Sequence, residues 1–158
     1  MKTSKSVLIA VALASLALLG VALYLQFVEK MLPCPLCIIQ RYAFAAVALI
    51  CLITAVLPQS SAKGGAGLGM LAAFTGAGVA LWHLWVKAHP AVSCGIDPLE
   101  TSLNKIPTAK LLPFLFQADG LCTTEYAPIF GLSIPQWSFA WFIAFAVVLG
   151  WVTLRRAR

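Results

Sequence analysis

The sequence predicts an all-α membrane protein, a four transmembrane helix bundle with two loops on its outward side. Three observations predict it. Hydrophobic residues fill 61% of the 158 positions and charged residues only 10%, with a mean hydropathy of +0.94, whereas a soluble domain averages roughly 45–50% apolar and about 25% charged. The apolar residues gather into four uninterrupted blocks, each close to the roughly 20 residues that cross a bilayer as a helix. The basic residues between the blocks are divided unequally, in the alternating way that orients a polytopic protein.

The blocks are taken in chain order. Val7–Leu25 carries no charge over 19 residues. Lys2 and Lys5 precede it, as in a signal peptide, but a signal core runs only about 7–15 residues, so this block is expected to stay as a span. Tyr42–Leu57 is a run of 16 that Ile38–Gln40 extends outward past Arg41. Gly64–Val86 gives 23 residues rich in glycine and alanine, a composition suited to close helix approach in lipid. Ile134–Leu154 gives 21. The blocks are continuous, without the ten-residue alternation of a β-barrel, and only helices and closed barrels satisfy the backbone in hydrocarbon. One membrane domain over 1–158 is expected, with spans at about 7–25, 38–57, 64–86 and 134–154 and outward loops at about 26–40 and 87–133.

Charge sets the orientation. Lys2, Lys5, Lys63, Arg155, Arg156 and Arg158 make six basic residues, with no acidic ones, at the termini and in the loop Pro58–Lys63. The other two loops, with Arg41 at the edge of the first, hold five charges of each sign. Positive loops stay inside, so both termini are expected to face the cytoplasm, as four spans also require. The net charge of +6 is not a nucleic-acid signature, because no basic stripe interleaves with aromatics. Trp82, Trp85, Trp137 and Trp141 fall where aromatic belts form. In the long loop, Leu111–Phe116 is too short to span and too apolar to float free, and is expected to lie along the membrane surface.

The cysteines carry the chemistry. Cys34, Cys37, Cys94 and Cys122 fall in the outward loops, and Cys51 alone lies within a block. Outside the cytoplasm disulfides persist, which suggests the pairs Cys34–Cys37 and Cys94–Cys122. One reading is structural: a disulfide that staples the long loop stabilises it by about 3–4 kcal/mol in the loop-entropy model. Context favours a redox role for the first pair. Pro35 suits the first turn of a helix, placing Cys34 and Cys37 at a helix amino terminus, where thiolates are stabilised. Arg41 follows Cys37 at i+4, on the same face, and an arginine at a membrane boundary is a functional candidate, able to stabilise a thiolate or donate to a bound acceptor's oxygen. The bland alternative is an arginine snorkelling among headgroups. No histidine follows Cys37 directly, so c-type haem is excluded. A zinc site on Cys34, Cys37, Cys94 and Cys122 is opposed by the 56-residue gap and by the oxidising side. No metal is expected. His83, beside Trp82 and Trp85, either lines a cofactor pocket or belongs to the aromatic belt; His89 is expected to be solvated and Cys51 to be a small buried apolar group. Phe130–Trp137 reads as the turn into the last helix. Two loop disulfides and a membrane-edge arginine imply a thiol–disulfide relay into the bilayer, with a membrane-soluble quinone as the acceptor.

The stretch Cys34-Pro35-Leu36-Cys37-Ile38-Ile39-Gln40-Arg41, the pair Cys94 and Cys122, and Gly131–Trp137 closely resemble the DsbB disulfide bond formation proteins. The resemblance covers nearly the whole chain, and CPLCxxQR with a later cysteine pair is specific where a lone CxxC is not. It implies a bacterial inner-membrane bundle with both cysteine loops periplasmic, reoxidising a DsbA-like periplasmic dithiol oxidase with ubiquinone or menaquinone. Under it, Cys94 is attacked by the partner and Cys122 is its mate. Cys34 then exchanges with Cys122, Cys37 faces the quinone beside Arg41, and His83 falls at the quinone-side end of the third helix. Two other readings stay open: a relay serving a dedicated partner other than general DsbA, and a non-catalytic membrane subunit whose loops are stapled by disulfides.

Overall fold

The computed structural model describes residues 2–89 and 96–154. Four long helices form the bundle: α1 (Lys2–Phe27), α2 (Pro35–Val56), α3 (Ala62–Ala88), which follows a single 3-10 turn at Gln59–Ser61, and α7 (Ile134–Leu154). All four are long and apolar enough to cross a membrane. The long loop is not featureless: it folds into three short helices, α4 (Ile96–Asn104), α5 (Pro107–Leu111) and α6 (Pro113–Phe116).

The first three helices start earlier than their apolar blocks suggest, because a first helical turn accommodates polar residues that a hydropathy block leaves out. α2 begins at Pro35, whose missing N–H costs nothing in a first turn. The Cys34 sulfur accepts from the Cys37 N–H at 3.3 Å and so caps the helix. Arg41 consequently stands in the second turn of α2 rather than at its edge, and the first outward loop shrinks to 28–34.

Packing follows side-chain size. α3 packs most extensively on α7 and then on α2, while α1 leans chiefly on α2. α3 turns a stripe of small residues inward (Ala66, Gly69, Ala73, Gly76, Ala77 and Ala80), which lets backbones approach closely. The Phe142 ring of α7 lies directly on Gly76, where a β-carbon would overlap it. The same ring stacks on Phe44 of α2 with centroids 4.0 Å apart, tying three helices at one point. Leu13, Leu49, Leu68, Leu71, Phe74 and Val147 point outward and are exposed, the arrangement a lipid solvent favours. Near one end, the Lys5 ammonium donates to the Leu57 carbonyl at 2.7 Å, so the start of α1 and the α2–α3 connection share one end of the bundle.

The cysteine-bearing loops occupy the opposite end and are tied to each other. Asn104 pairs with the Ala118 backbone twice, Oδ1 accepting from its N–H and Nδ2 donating to its carbonyl, both at 3.0 Å. The next two N–H groups, of Asp119 and Gly120, both donate to the Pro33 carbonyl, at 3.0 and 3.1 Å. Gly120 makes this approach possible, since a β-carbon there would run into the Leu32 backbone. The Leu111–Phe116 segment is split in role. Leu111 and Phe114 are exposed, as a surface-lying segment requires, but Phe116 is buried and stacks on Tyr42 at 4.2 Å. The expected turn before the last helix is present: Gln136 Oε1 accepts from the Ser133 N–H at 2.7 Å, and the Trp137 indole donates to the Ile129 carbonyl at 2.9 Å.

Candidate functional site

The site is built at the amino-terminal end of α2 and the carboxy-terminal end of α3. Cys34 precedes α2 and Cys37 lies in its first turn, so one helical turn brings their sulfurs to 3.0 Å. Both are free thiols in this structure; the pair expected as a disulfide stands here in its dithiol form. Cys34 donates to Cys37 and keeps its proton: that contact, and burial next, push the Cys34 thiol above its ordinary range.

His83 enters from α3. It is only 3% exposed, so it belongs to the interior, while Trp82 and Trp85 beside it face outward and stack on each other at 4.9 Å. Its Nε2 lies 3.7 Å from the Cys34 sulfur and 3.3 Å from the Cys122 carbonyl oxygen, and its Nδ1 lies 3.2 Å from the Gln40 amide nitrogen. Cys34, Cys122, Leu36 and Val86 pack in one buried cluster. Cys122 is disulfide-bonded; Cys94 lies outside the described residues.

Arg41 is 6% exposed and does not reach for headgroups. Its guanidinium donates to Gln26 Oε1 at 2.7 Å, to the Leu115 carbonyl at 3.0 Å and to the Ala22 carbonyl at 3.2 Å. These bonds tie α2 to the end of α1 and to α6, and they use three of the five N–H donors of a guanidinium. Arg41, Cys37, His83, Gln40, Phe44 and Ala22 all line one cavity of about 90 Å³. An apolar chamber holding a few convergent polar groups is the usual form of a small-molecule site. A flat, apolar acceptor with carbonyl oxygens suits this donor set, because a buried cation with N–H groups to spare gains from an oxygen ligand.

The structure thus draws Cys34, Cys37, Arg41, His83 and the Cys122 backbone together at one end of the bundle. Sequence reasoning gave no role to Gln40 or Gln26. Gln40 carried a signal, as a polar residue one turn beyond Cys37 inside an apolar helix; Gln26 carried none. Cys51 is fully buried in the main core among α2, α3 and α7, away from the other sulfurs.

Comparison with known proteins agrees with this arrangement. Residues 4–152 match the family model described as disulfide bond formation protein DsbB. The chain is 73% identical over 149 residues to disulfide bond formation protein B of Herminiimonas arsenicoxydans, covering 94% of each chain. It is 44% identical over 155 residues to the protein of that name from Cupriavidus necator, covering 98% of this chain and 96% of the relative. For Ralstonia nicotianae the identity is 43% over 155 residues, covering 98% and 97%. A match over nearly the whole length, on a four-helix membrane bundle that gathers three cysteines at one end, leaves one conclusion: the chain belongs to the DsbB family of disulfide bond formation proteins.

Proposed function

We propose that this chain reoxidises a DsbA-like periplasmic dithiol oxidase and delivers the electrons to a membrane quinone, ubiquinone or menaquinone. It does so from the bacterial inner membrane, with both termini cytoplasmic. One observation carries the reading: a contacting dithiol, Cys34 and Cys37, is packed against disulfide-bonded Cys122 on one side and lines an arginine-bearing cavity on the other.

The exchange balances as follows. The partner's thiolate attacks Cys94, and Cys122 leaves as a thiolate; the partner's second thiol then attacks its own sulfur in that mixed disulfide, so the partner departs oxidised and Cys94 is freed. Cys122 attacks Cys34 of the oxidised Cys34–Cys37 pair and Cys37 leaves; Cys94 then attacks Cys122 and displaces Cys34, so the Cys94–Cys122 disulfide reforms while Cys34 and Cys37 become the dithiol. A bound quinone supplies the two-electron, two-proton sink that returns this dithiol to a disulfide. Arg41 and Cys37 would hold it, Arg41 as a hydrogen-bond donor, with Phe44 and Ala22 shaping the apolar wall. His83, beside Cys34, is placed to hold or pass the proton that Cys34 gives up or regains. Stapled, non-catalytic loops are the competing reading, and the cavity that Cys37 lines beside Arg41 weighs against it, since a staple needs no acceptor site.

The test is quinone reduction by purified full-length protein supplied with reduced DsbA. One quinol formed per DsbA dithiol oxidised is the expected result. Disulfides that resist reduced DsbA, with no quinone consumed, would leave only the stapled subunit.

A further inference from the structure

The Cys34 and Cys37 sulfurs and an imidazole nitrogen of His83 lie within 4.8 Å of one another, at the wall of the cavity. We propose that the dithiol form is a binding site for a soft divalent cation of the zinc class, with Cys34, Cys37 and His83 as its three ligands. A cation held there keeps the pair from being reoxidised. The relay then carries a redox-gated metal site, open when the pair is reduced and abolished when it is a disulfide.

The chemistry follows from the donor set. Two thiolates and one imidazole select zinc, cadmium and similar ions and reject magnesium and calcium. CxxC is a common zinc-ligand spacing, and zinc binds sulfur at about 2.3 Å and nitrogen at about 2.0–2.1 Å, which at tetrahedral angles separates two sulfurs by about 3.7 Å. The Cys34–His83 separation, 3.7 Å, is close to the roughly 3.6 Å that a sulfur and a nitrogen keep around such an ion, and the sulfurs, at 3.0 Å, need to open by about 0.7 Å. Cys37, only partly buried, lines the cavity and has space to turn. The fourth position falls toward that cavity, whose volume of about 90 Å³ has room for a water ligand. Binding releases the two thiol protons and moves no electrons.

Gln40 supplies the second half of the argument. Coordination through Nε2 requires a proton on Nδ1, and the atom facing Nδ1 is the Gln40 amide nitrogen. A glutamine amide turned over presents its oxygen instead, so Gln40 can support either histidine tautomer. A carboxylate at this position would hold the metal-binding tautomer outright.

The proposal needs only the dithiol. Its test uses neither a thiol partner nor quinone, so it fails or stands apart from the relay. Zinc is titrated anaerobically into full-length Cys94→Ser/Cys122→Ser protein in detergent, against a chromogenic chelator. One zinc per chain is expected for the reduced pair and none after its oxidation. Cys34→Ser and Cys37→Ser should each abolish binding. His83→Ala should weaken it by more than the roughly tenfold that follows loss of a supporting partner, and Gln40→Glu should tighten it by about tenfold. Should His83→Ala misfold, Gln40→Glu reads the same ligand without removing it, and the cadmium–thiolate absorption band counts the sulfurs directly. No zinc on the reduced pair overturns the proposal, as does binding that survives Cys34→Ser. Unchanged affinity in Gln40→Glu overturns the assignment of His83.

Discussion

Gln26, at the end of α1, accepts a 2.7 Å hydrogen bond from Arg41 in the second turn of α2, and this bond holds the guanidinium at the cavity wall. Gln26→Leu is therefore predicted to behave as a mild Arg41 variant. Arg41→Ala removes the donor to Gln26 and to two carbonyls at once. It should weaken apparent quinone affinity by about tenfold to a hundredfold, the equivalent of one charged hydrogen bond of about 1.5–3 kcal/mol. Arg41→Lys keeps the charge but not the fork, and cannot serve three acceptors in their present places. It should fall between wild type and Arg41→Ala. Quinone reduction against quinone concentration measures all three, and equal apparent affinities would refute the placement.

Gln40→Leu leaves the His83 ring nitrogen facing it without a partner in a buried site. The predicted cost is about 1–3 kcal/mol of stability, seen as a lower midpoint on heating in detergent, together with slower exchange between Cys122 and Cys34. A variant as stable and as fast as wild type would mean that the Gln40 contact positions nothing.

Cys51 lies 14 residues along the unbroken α2 from Cys37, about 21 Å at 1.5 Å per residue. Sulfur exchange needs contact, so Cys51→Ala should leave turnover intact and cost about 1 kcal/mol for the small void. A loss of turnover like that of Cys37→Ala would show a role for Cys51.

Gly76→Val places a branched side chain where the Phe142 ring now lies. Overpacking of this kind costs about 1–3 kcal/mol, and the α3–α7 contact should loosen. The midpoint of thermal unfolding should drop, and the fraction that remains folded should still reduce quinone. An unshifted midpoint would mean that α3 and α7 are less closely packed than this.

Orientation is testable with new thiols, since Cys122 is itself buried and a poor reporter. Lys110 and Ser60 are both exposed, in the long loop and in the α2–α3 connection. In a protein otherwise free of cysteine, an impermeant maleimide applied to intact spheroplasts should label Lys110→Cys and spare Ser60→Cys. The reverse pattern would invert the topology.

Much of this was legible in the sequence because it rests on local rules. The four spans follow from block length, the start of α2 from Pro35, and the final turn from Phe130–Trp137. The fate of Arg41 was not legible, because two of its three acceptors are the main-chain carbonyls of Ala22 and Leu115, and a carbonyl leaves no mark in the sequence. The Gln40–His83 contact joins residues 43 positions apart, a meeting set by how α2 packs on α3. Phe116 belongs by composition to a surface-lying segment, and the face of Tyr42, on which it stacks, draws it inward.

The two hydrogen bonds from the Asp119 and Gly120 N–H groups to the Pro33 carbonyl have a mechanical consequence. Pro33 immediately precedes Cys34, and Cys122 follows Gly120 by two residues, so a load applied to the long loop is carried into the helix cap that holds the first sulfur. A soluble protein docking on that loop would grip a lever whose short arm ends at Cys34. The timing of electron transfer would then answer to the engagement of the partner as well as to the chance collision of two sulfurs.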